Sequence, residues 1–152
     1  MGEVYNVIGL MSGTSMDGLD IAYCTFEKEN HQWSFNILCA ETLSYSNKWL
    51  NNLNSARDLN SIQLANLNVE YGYLLGEQVL SFIRQNNISN IDFISSHGHT
   101  IHHLPDEGLT VQIGDGQTLS DTTSLPVIYD FRVQDVKLGG QGAPLVPIGD
   151  KL

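Results

Sequence analysis

Val7-Ile8-Gly9-Leu10-Met11-Ser12-Gly13-Thr14-Ser15-Met16-Asp17-Gly18-Leu19-Asp20-Ile21-Ala22 is the stretch whose reading decides the fold. An apolar strand enters a turn of small polar residues and a second apolar strand leaves it. Six of the seven residues from Ser12 to Gly18 are Ser, Gly, Thr or Asp, more than a β-turn without a ligand requires. Such a turn can aim backbone N–H groups and hydroxyls at one point with no bulky side chain in the way, which is what gripping a phosphate needs. Asp17 adds a carboxylate able to hold Mg2+ directly or through water. The stretch reads as the phosphate hairpin of an ATP-dependent phosphotransferase. It lacks the Gly-Lys-Ser/Thr ending of a Walker loop, and a strand rather than a helix follows it, so it is not a dinucleotide fingerprint.

Working outward, Val4 to Met11 and Leu19 to Glu27 read as paired strands. Lys28 to Gln32 reads as a polar turn and Trp33 to Leu43 as a third strand, which makes an antiparallel meander. Asn47 to Asp58 reads as a short helix. From Ser61, read as an N-cap, to Gln85, apolar residues at Leu64, Leu67, Tyr71, Leu74, Leu75, Val79, Phe82 and Ile83 form one helical stripe. Gly72 and Gly76 inside it predict close approach of a neighbouring element, at a propensity cost of about 1 kcal/mol each. Ile91 to Ser95, Thr110 to Ile113 and Pro126 to Phe131 read as short strands, with a short helix over Gln117 to Thr123 between the last two. A meander followed by alternating helices and strands predicts an α/β fold, a mixed sheet covered by helices.

Composition narrows the function classes. In 152 residues, 41% are apolar and 16% charged, which is enough for a cored globular domain. A net charge of −10 argues against nucleic acid or an anionic membrane as the main partner. A phosphate site on such a chain has to rely on backbone amides and a metal ion. Cys24 and Cys39 read as buried reduced thiols, with no C-x-x-C pair. No signal peptide or membrane-length apolar run is visible, and a cytoplasmic location follows.

Three further motifs carry chemistry. Ser95-Ser96-His97-Gly98-His99-Thr100-Ile101-His102-His103 reads as a loop after a buried strand, with four histidines in seven residues. It is either a loop packed around a sugar, a zinc site, or an exposed His-rich turn. Gln112, in Thr110-Val111-Gln112-Ile113-Gly114-Asp115-Gly116, alternates with apolar neighbours: it faces solvent, or becomes a substrate contact if it shares a cleft with His97. Asp130-Phe131-Arg132-Val133-Gln134-Asp135 reads as a surface Asp–Arg pair, or as Arg132 binding an anion bidentately with Asp130 or Asp135 orienting it. Gly139-Gly140-Gln141-Gly142-Ala143-Pro144 then lets the backbone approach a ligand closely.

Taken in order, these motifs resemble the anhydro-N-acetylmuramic acid kinases along essentially the whole chain. Gly9 to Gly18, Ser96-His97-Gly98-His99-Thr100, Thr110 to Gly114 and Asp130-Phe131-Arg132 through Gly139 to Pro147 carry the likeness. His99 departs from it, standing where many members have Gln. The resemblance implies an actin-like ATPase (ribonuclease H-like) fold of two lobes, with ATP and Mg2+ between them. It implies hydrolytic opening of a 1,6-anhydro sugar coupled to phosphorylation of its 6-oxygen, giving N-acetylmuramic acid 6-phosphate in peptidoglycan recycling. By carry-over, Gly13, Thr14, Ser15, Met16, Asp17, Gly18, Leu19 and Asp20 contact the ATP phosphates, and Asp17 assists the metal. His97, Thr100, Gln112, Asp130 and Arg132 line the sugar side. The resemblance leaves a homodimer open for the full-length form.

The family is more than twice this length. Residues 1–152 are therefore expected to be a first lobe, with the second lobe and the catalytic base lying beyond Leu152, and to be inactive alone. Two rivals remain: an actin-like ATP-binding module without sugar chemistry, and a zinc hydrolase using His97, His99 and His103.

Overall fold

Strand β1 (Glu3–Ser12) pairs antiparallel with β2 (Leu19–Glu29), from Glu3 opposite Lys28 to Ser12 opposite Leu19. Strand β2 pairs antiparallel with β3 (Gln32–Leu43). The structure is a computed structural model in which residues 3–142 are described, so Ala143 to Pro147 of the last motif lie outside the described residues. The turn expected over Lys28 to Gln32 shrinks to Asn30-His31, both with positive φ (50° and 65°). A two-residue turn of that hand matches the twist of the flanking strands, so they run on to the turn itself. Alternation sends Ile8, Leu10, Leu19 and Ile21 to one face, where all four are buried.

That face is covered by α2 (Ser61–Gln85), whose Leu67, Tyr71, Leu75, Val79 and Phe82 join the same core. The N-cap is Asn60 rather than Ser61. Asn60 is extended and its side chain accepts from Gln63 N–H at 3.0 Å, while Gln63 Oε1 accepts from Asn60 N–H at 3.1 Å. Ahead of it, α1 (Asn47–Ser55) stops three residues short of the expected Asp58, and Ala56–Asp58 tightens into a 3-10 turn. The Ser55 hydroxyl bonds back to Asn51 and Asn52 carbonyls, competing with the helical ladder at that point.

Strand β4 (Phe93–Leu104) is the largest departure from expectation. The stretch from Ser95 to His103 is strand, not loop. It is held parallel to β1 on one side, and on the other by β6 (Val127–Tyr129) and then β5 (Leu109–Ile113). The sheet order is β3-β2-β1-β4-β5, with β6 attached to β4, so the sheet is mixed as expected. Asp115 caps α3 (Gly116–Thr123) by accepting from Thr118 N–H at 2.8 Å. Helix α3 packs on α2 where both glycines lie: a Cβ on Gly72 would sit 2.7 Å from Asp115 O, and one on Gly76 2.5 Å from Thr122 Cγ2. The strand expected to reach Phe131 ends at Tyr129. Asp130 turns left-handed (φ 59°), and Phe131 opens α4 (Phe131–Lys137), which the sequence reading lacked.

The cysteines are half-buried rather than buried, and they face opposite sides of the sheet. Cys39 packs on the core and Cys24 lines a groove on the far face. Burial raises both thiol pKa values, which keeps them protonated. Among the described residues no helix is long and apolar enough to cross a membrane.

Candidate functional site

The hairpin turn is closed by Met16 N–H donating to Gly13 O at 3.2 Å, with Met16 left-handed (φ 55°). The Ser15 hydroxyl donates to Asp17 Oδ1 at 2.7 Å. Gly13, Thr14, Ser15 and Asp17 form the accessible tip, while Met16 leans onto the core. Gly18 passes so close to β3 that a Cβ would lie 2.7 Å from Thr42 Cγ2 and 2.8 Å from Leu43 O. The other two candidates leave the tip. Leu19 puts its side chain in the core. Asp20 accepts from the Thr42 hydroxyl and lines a groove on the opposite sheet face with Glu41. At the base of the turn Ser12 is buried, its hydroxyl 2.8 Å from His99 Nδ1 and 2.7 Å from Tyr45 OH, which is itself 2.7 Å from Tyr71 OH. This buried polar chain ties β1 to β4, the Ser44–Ser46 segment and α2. Burial raises the pKa values of both tyrosines, so they stay protonated.

The sugar-side candidates meet where β4 changes partner. Its pairs with β6 end at Ser96 and its pairs with β5 begin at His99. His97 and Gly98 pair with neither strand, although Gly98 lies against Ile113 of β5, and a cavity of about 160 Å³ opens there, lined by Ser96, His97, Gln112 and Asp130. It sits at the carboxyl end of β6, where the parallel pairing of β6 with β4 stops partway along β4, and the ends of parallel strands are where open α/β sheets place ligands. Three buried side-chain atoms on its wall lack partners: Ser96 Oγ, His97 Nε2 and Gln112 Oε1. A buried polar atom without a partner is costly, about 1–3 kcal/mol, so three at one cavity mark a place for a ligand.

The protonation states follow from the bonds. His97 Nδ1 lies 2.9 Å from Gly98 O, which can only accept, so Nδ1 carries the proton and Nε2 offers a lone pair. Burial, then the nearby Arg132 charge, hold the His97 pKa below its usual value, partly opposed by the Gly98 bond, and the ring is neutral at pH 7. Gln112 Nε2 donates to Thr110 Oγ1 at 2.7 Å and Thr100 Oγ1 at 3.4 Å, leaving its carbonyl oxygen without a partner. Burial raises the Asp130 pKa, while Lys137 opposes the shift. Phe131 packs against the His97 ring in a tilted arrangement, with centroids 6.0 Å apart and planes at 57°. The cavity is thus rich in acceptors, which suits a ligand bearing several hydroxyl or N–H donors.

Gln112 does share the cleft with His97. Thr100 lies elsewhere, lining a cavity of about 250 Å³ with Thr14, Met16 and His99, beside the hairpin. Arg132 is half-buried next to His97, while Asp135 turns to the glycine loop and accepts from Gly142 N–H at 2.7 Å. Missed by the sequence reading were Ser96, quoted but given no role, and Asn68, whose side chain accepts from Gly114 N–H at 2.8 Å and holds the cavity floor. Asn68 looks like any polar helix position, and nothing local distinguishes it. Among the described residues no set of three metal-ligating side chains converges, which overturns the zinc reading. His99 is committed to Ser12, and His103 Nδ1 lies 3.3 Å from Thr110 Oγ1. A cavity of about 600 Å³ elsewhere is an apolar groove under Tyr5, Phe26, Trp33 and Phe93 that holds none of the candidate residues.

A family model described as anhydro-N-acetylmuramic acid kinase matches residues 5–152. The anhydro-N-acetylmuramic acid kinase of Brucella canis is 39% identical over 158 residues, covering 97% of this chain and 42% of the relative. That of Agrobacterium fabrum is 37% identical over 166 residues, covering 97% and 42%. That of Pseudoalteromonas atlantica is 38% identical over 159 residues, covering 96% and 40%. The chain spans about two fifths of the length of these curated relatives.

Proposed function

The chain belongs to the anhydro-N-acetylmuramic acid kinase family, and we propose that the intact protein uses ATP to phosphorylate 1,6-anhydro-N-acetylmuramic acid while opening its anhydro bridge. The product is N-acetylmuramic acid 6-phosphate, formed in the cytoplasm during peptidoglycan recycling. Residues 1–152 would form one lobe of an actin-like ATPase fold. The mixed sheet that opens with an antiparallel meander supports this. The observation that carries the reading is the acceptor-lined cavity: His97 Nε2, Gln112 Oε1 and the Asp130 carboxylate suit the hydroxyl and amide donors of an amino sugar. Ser96 can donate or accept there, and Arg132 would take an anionic group of the substrate.

The Gly13–Asp17 tip would hold the nucleotide phosphates through backbone N–H groups and the Thr14 hydroxyl, while the Ser15 hydroxyl orients Asp17. A single exposed carboxylate at the tip fits Mg2+, which keeps most of its ligands as water and phosphate oxygen, so Asp17 would hold it. Bound there, the ion would neutralise phosphate charge. In the overall reaction water adds to the anomeric carbon, the bridging oxygen leaves that carbon and takes the phosphoryl group, and one proton from water passes to a base. That base is expected beyond Leu152. Phosphoryl transfer depends chiefly on positioning, and the cavity residues would supply it for the sugar.

Steady-state assays of the intact protein test this by following ADP release with the anhydro sugar and ATP. His97→Ala and Gln112→Ala should raise the sugar KM by about tenfold or more each, the loss of a hydrogen bond to a buried group, with the ATP KM changing less than threefold. Absence of sugar-dependent turnover, or unchanged sugar KM in both variants, refutes the proposal.

A further inference from the structure

The second polar cavity, beside the hairpin, is not explained by the sugar-side residues. Its walls are Thr14 from the hairpin, Asn54 from α1, Arg57 from the 3-10 turn, and His99 and Thr100 from β4. Arg57 Nε donates to Ile101 O at 3.0 Å, which fastens the guanidinium to the sheet and uses one of its five donors. None of the residues lining this cavity is acidic, although the chain carries 17 Asp and Glu against 7 Lys and Arg. The charge of Arg57 also reaches into the buried side of the wall. Burial chiefly, then His97 and Arg57, draw the His99 pKa down to about 4.

We infer that Arg57, with Asn54 and Thr14, forms an anion-binding subsite in the cavity beside the Gly13–Met16 turn, taking a phosphate or carboxylate group. The inference rests on the proposed kinase reading for the identity of its ligands. A guanidinium anchored through Nε keeps its two amino groups for a fork-shaped contact with two oxygens. The hairpin supplies hydroxyl and amide donors but no positive charge of its own. Arg57 is the cation placed to complete it on a strongly acidic chain. Two ligands could bring the anion: the terminal phosphates of the nucleotide, or the carboxylate of an acidic sugar.

Equilibrium binding by the intact protein decides this with four probes: ATP with Mg2+, the anhydro sugar acid, the same sugar with its carboxylate converted to an amide, and inorganic pyrophosphate. Arg57→Gln should weaken one anionic class by about tenfold or more, the worth of a charge-assisted pair. Loss confined to ATP and pyrophosphate assigns the subsite to phosphate. Loss for the sugar acid but not its amide assigns it to carboxylate. Asn54→Asp, which leaves the Ile101 bond untouched and adds a negative charge, should weaken the same class, and so separates binding from any folding effect of Arg57→Gln. Arg57→Gln and Asn54→Asp that both bind every probe within twofold of wild type overturn the inference. A wild-type protein that takes up pyrophosphate through Arg57 but neither ATP nor the sugar refutes the kinase reading and leaves the subsite standing.

Discussion

His99 shows how much one side chain can bind together. Its Nδ1 meets Ser12 at the base of the hairpin, Ser12 meets Tyr45, and Tyr45 meets Tyr71. The ring is buried, and its pKa is drawn down to about 4 from the ordinary 6.5 by burial first and then by the His97 and Arg57 charges. The unfolded chain therefore binds this proton more tightly than the folded one. Stability should be steady above about pH 6.5 and fall as the pH drops from there toward 4, by at most about 1.4 kcal/mol per pH unit for the one proton. His97 acts in the same direction. Asp130, with its raised pKa, opposes the trend only near the acid end. Thermal melts between pH 7.5 and 5 should show the decline, and His99→Gln should flatten part of it. An equal slope in that variant would show that the proton is taken up elsewhere. Reading His99 from the sequence as one member of a His-rich segment missed this, because its partner lies 87 residues earlier in the chain.

Among the elements, α2 and the hairpin carry the sharpest expectations. Alanine at Gly72 or Gly76 gains about 1 kcal/mol in helix propensity. The added methyl would meet the Asp115 carbonyl at 2.7 Å or Thr122 Cγ2 at 2.5 Å, and α3 would have to move away. Overpacking should win at Gly72, where the obstacle is backbone, and each substitution should cost about 1–3 kcal/mol in denaturant unfolding. A stabilised Gly72→Ala would show that α3 is free to shift. Gly18→Ala faces the β3 backbone at 2.8 Å from Leu43 O and should weaken nucleotide binding by reshaping the turn while the β1–β2 pairing persists. Nucleotide affinity by calorimetry, with circular dichroism alongside, reads that outcome. The α2 stripe was legible because the 3.6-residue period lies entirely within one segment. Strand β4 was not, since Ser and His carry little strand preference, and three partner strands from distant parts of the chain impose the conformation.

At the scale of the molecule, the two polar cavities lie on either side of a single link, the Gln112 amide reaching the Thr100 hydroxyl. The proposed sugar pocket and the hairpin are therefore neighbours, as a transfer between them would require. Residues 1–152 alone should give no ADP release above the uncatalysed rate with ATP and the anhydro sugar, whereas the intact protein should turn over. Turnover by the 152-residue chain would demand a base within it and would discard the placement of that group beyond Leu152. The sequence by itself determined the opening meander, the buried stripe of α2, the mixed α/β class and the family, because each rests on local periodicity or on short motifs in order. Only the tertiary structure decided that Thr100 belongs with the hairpin, that Leu19 turns into the core and Asp20 to the far face, and that Ser96 and Asn68 attend the His97 cavity. Those outcomes depend on which strand lies beside β4 at each residue, and a partner change between Ser96 and His99 is a property of the assembled sheet.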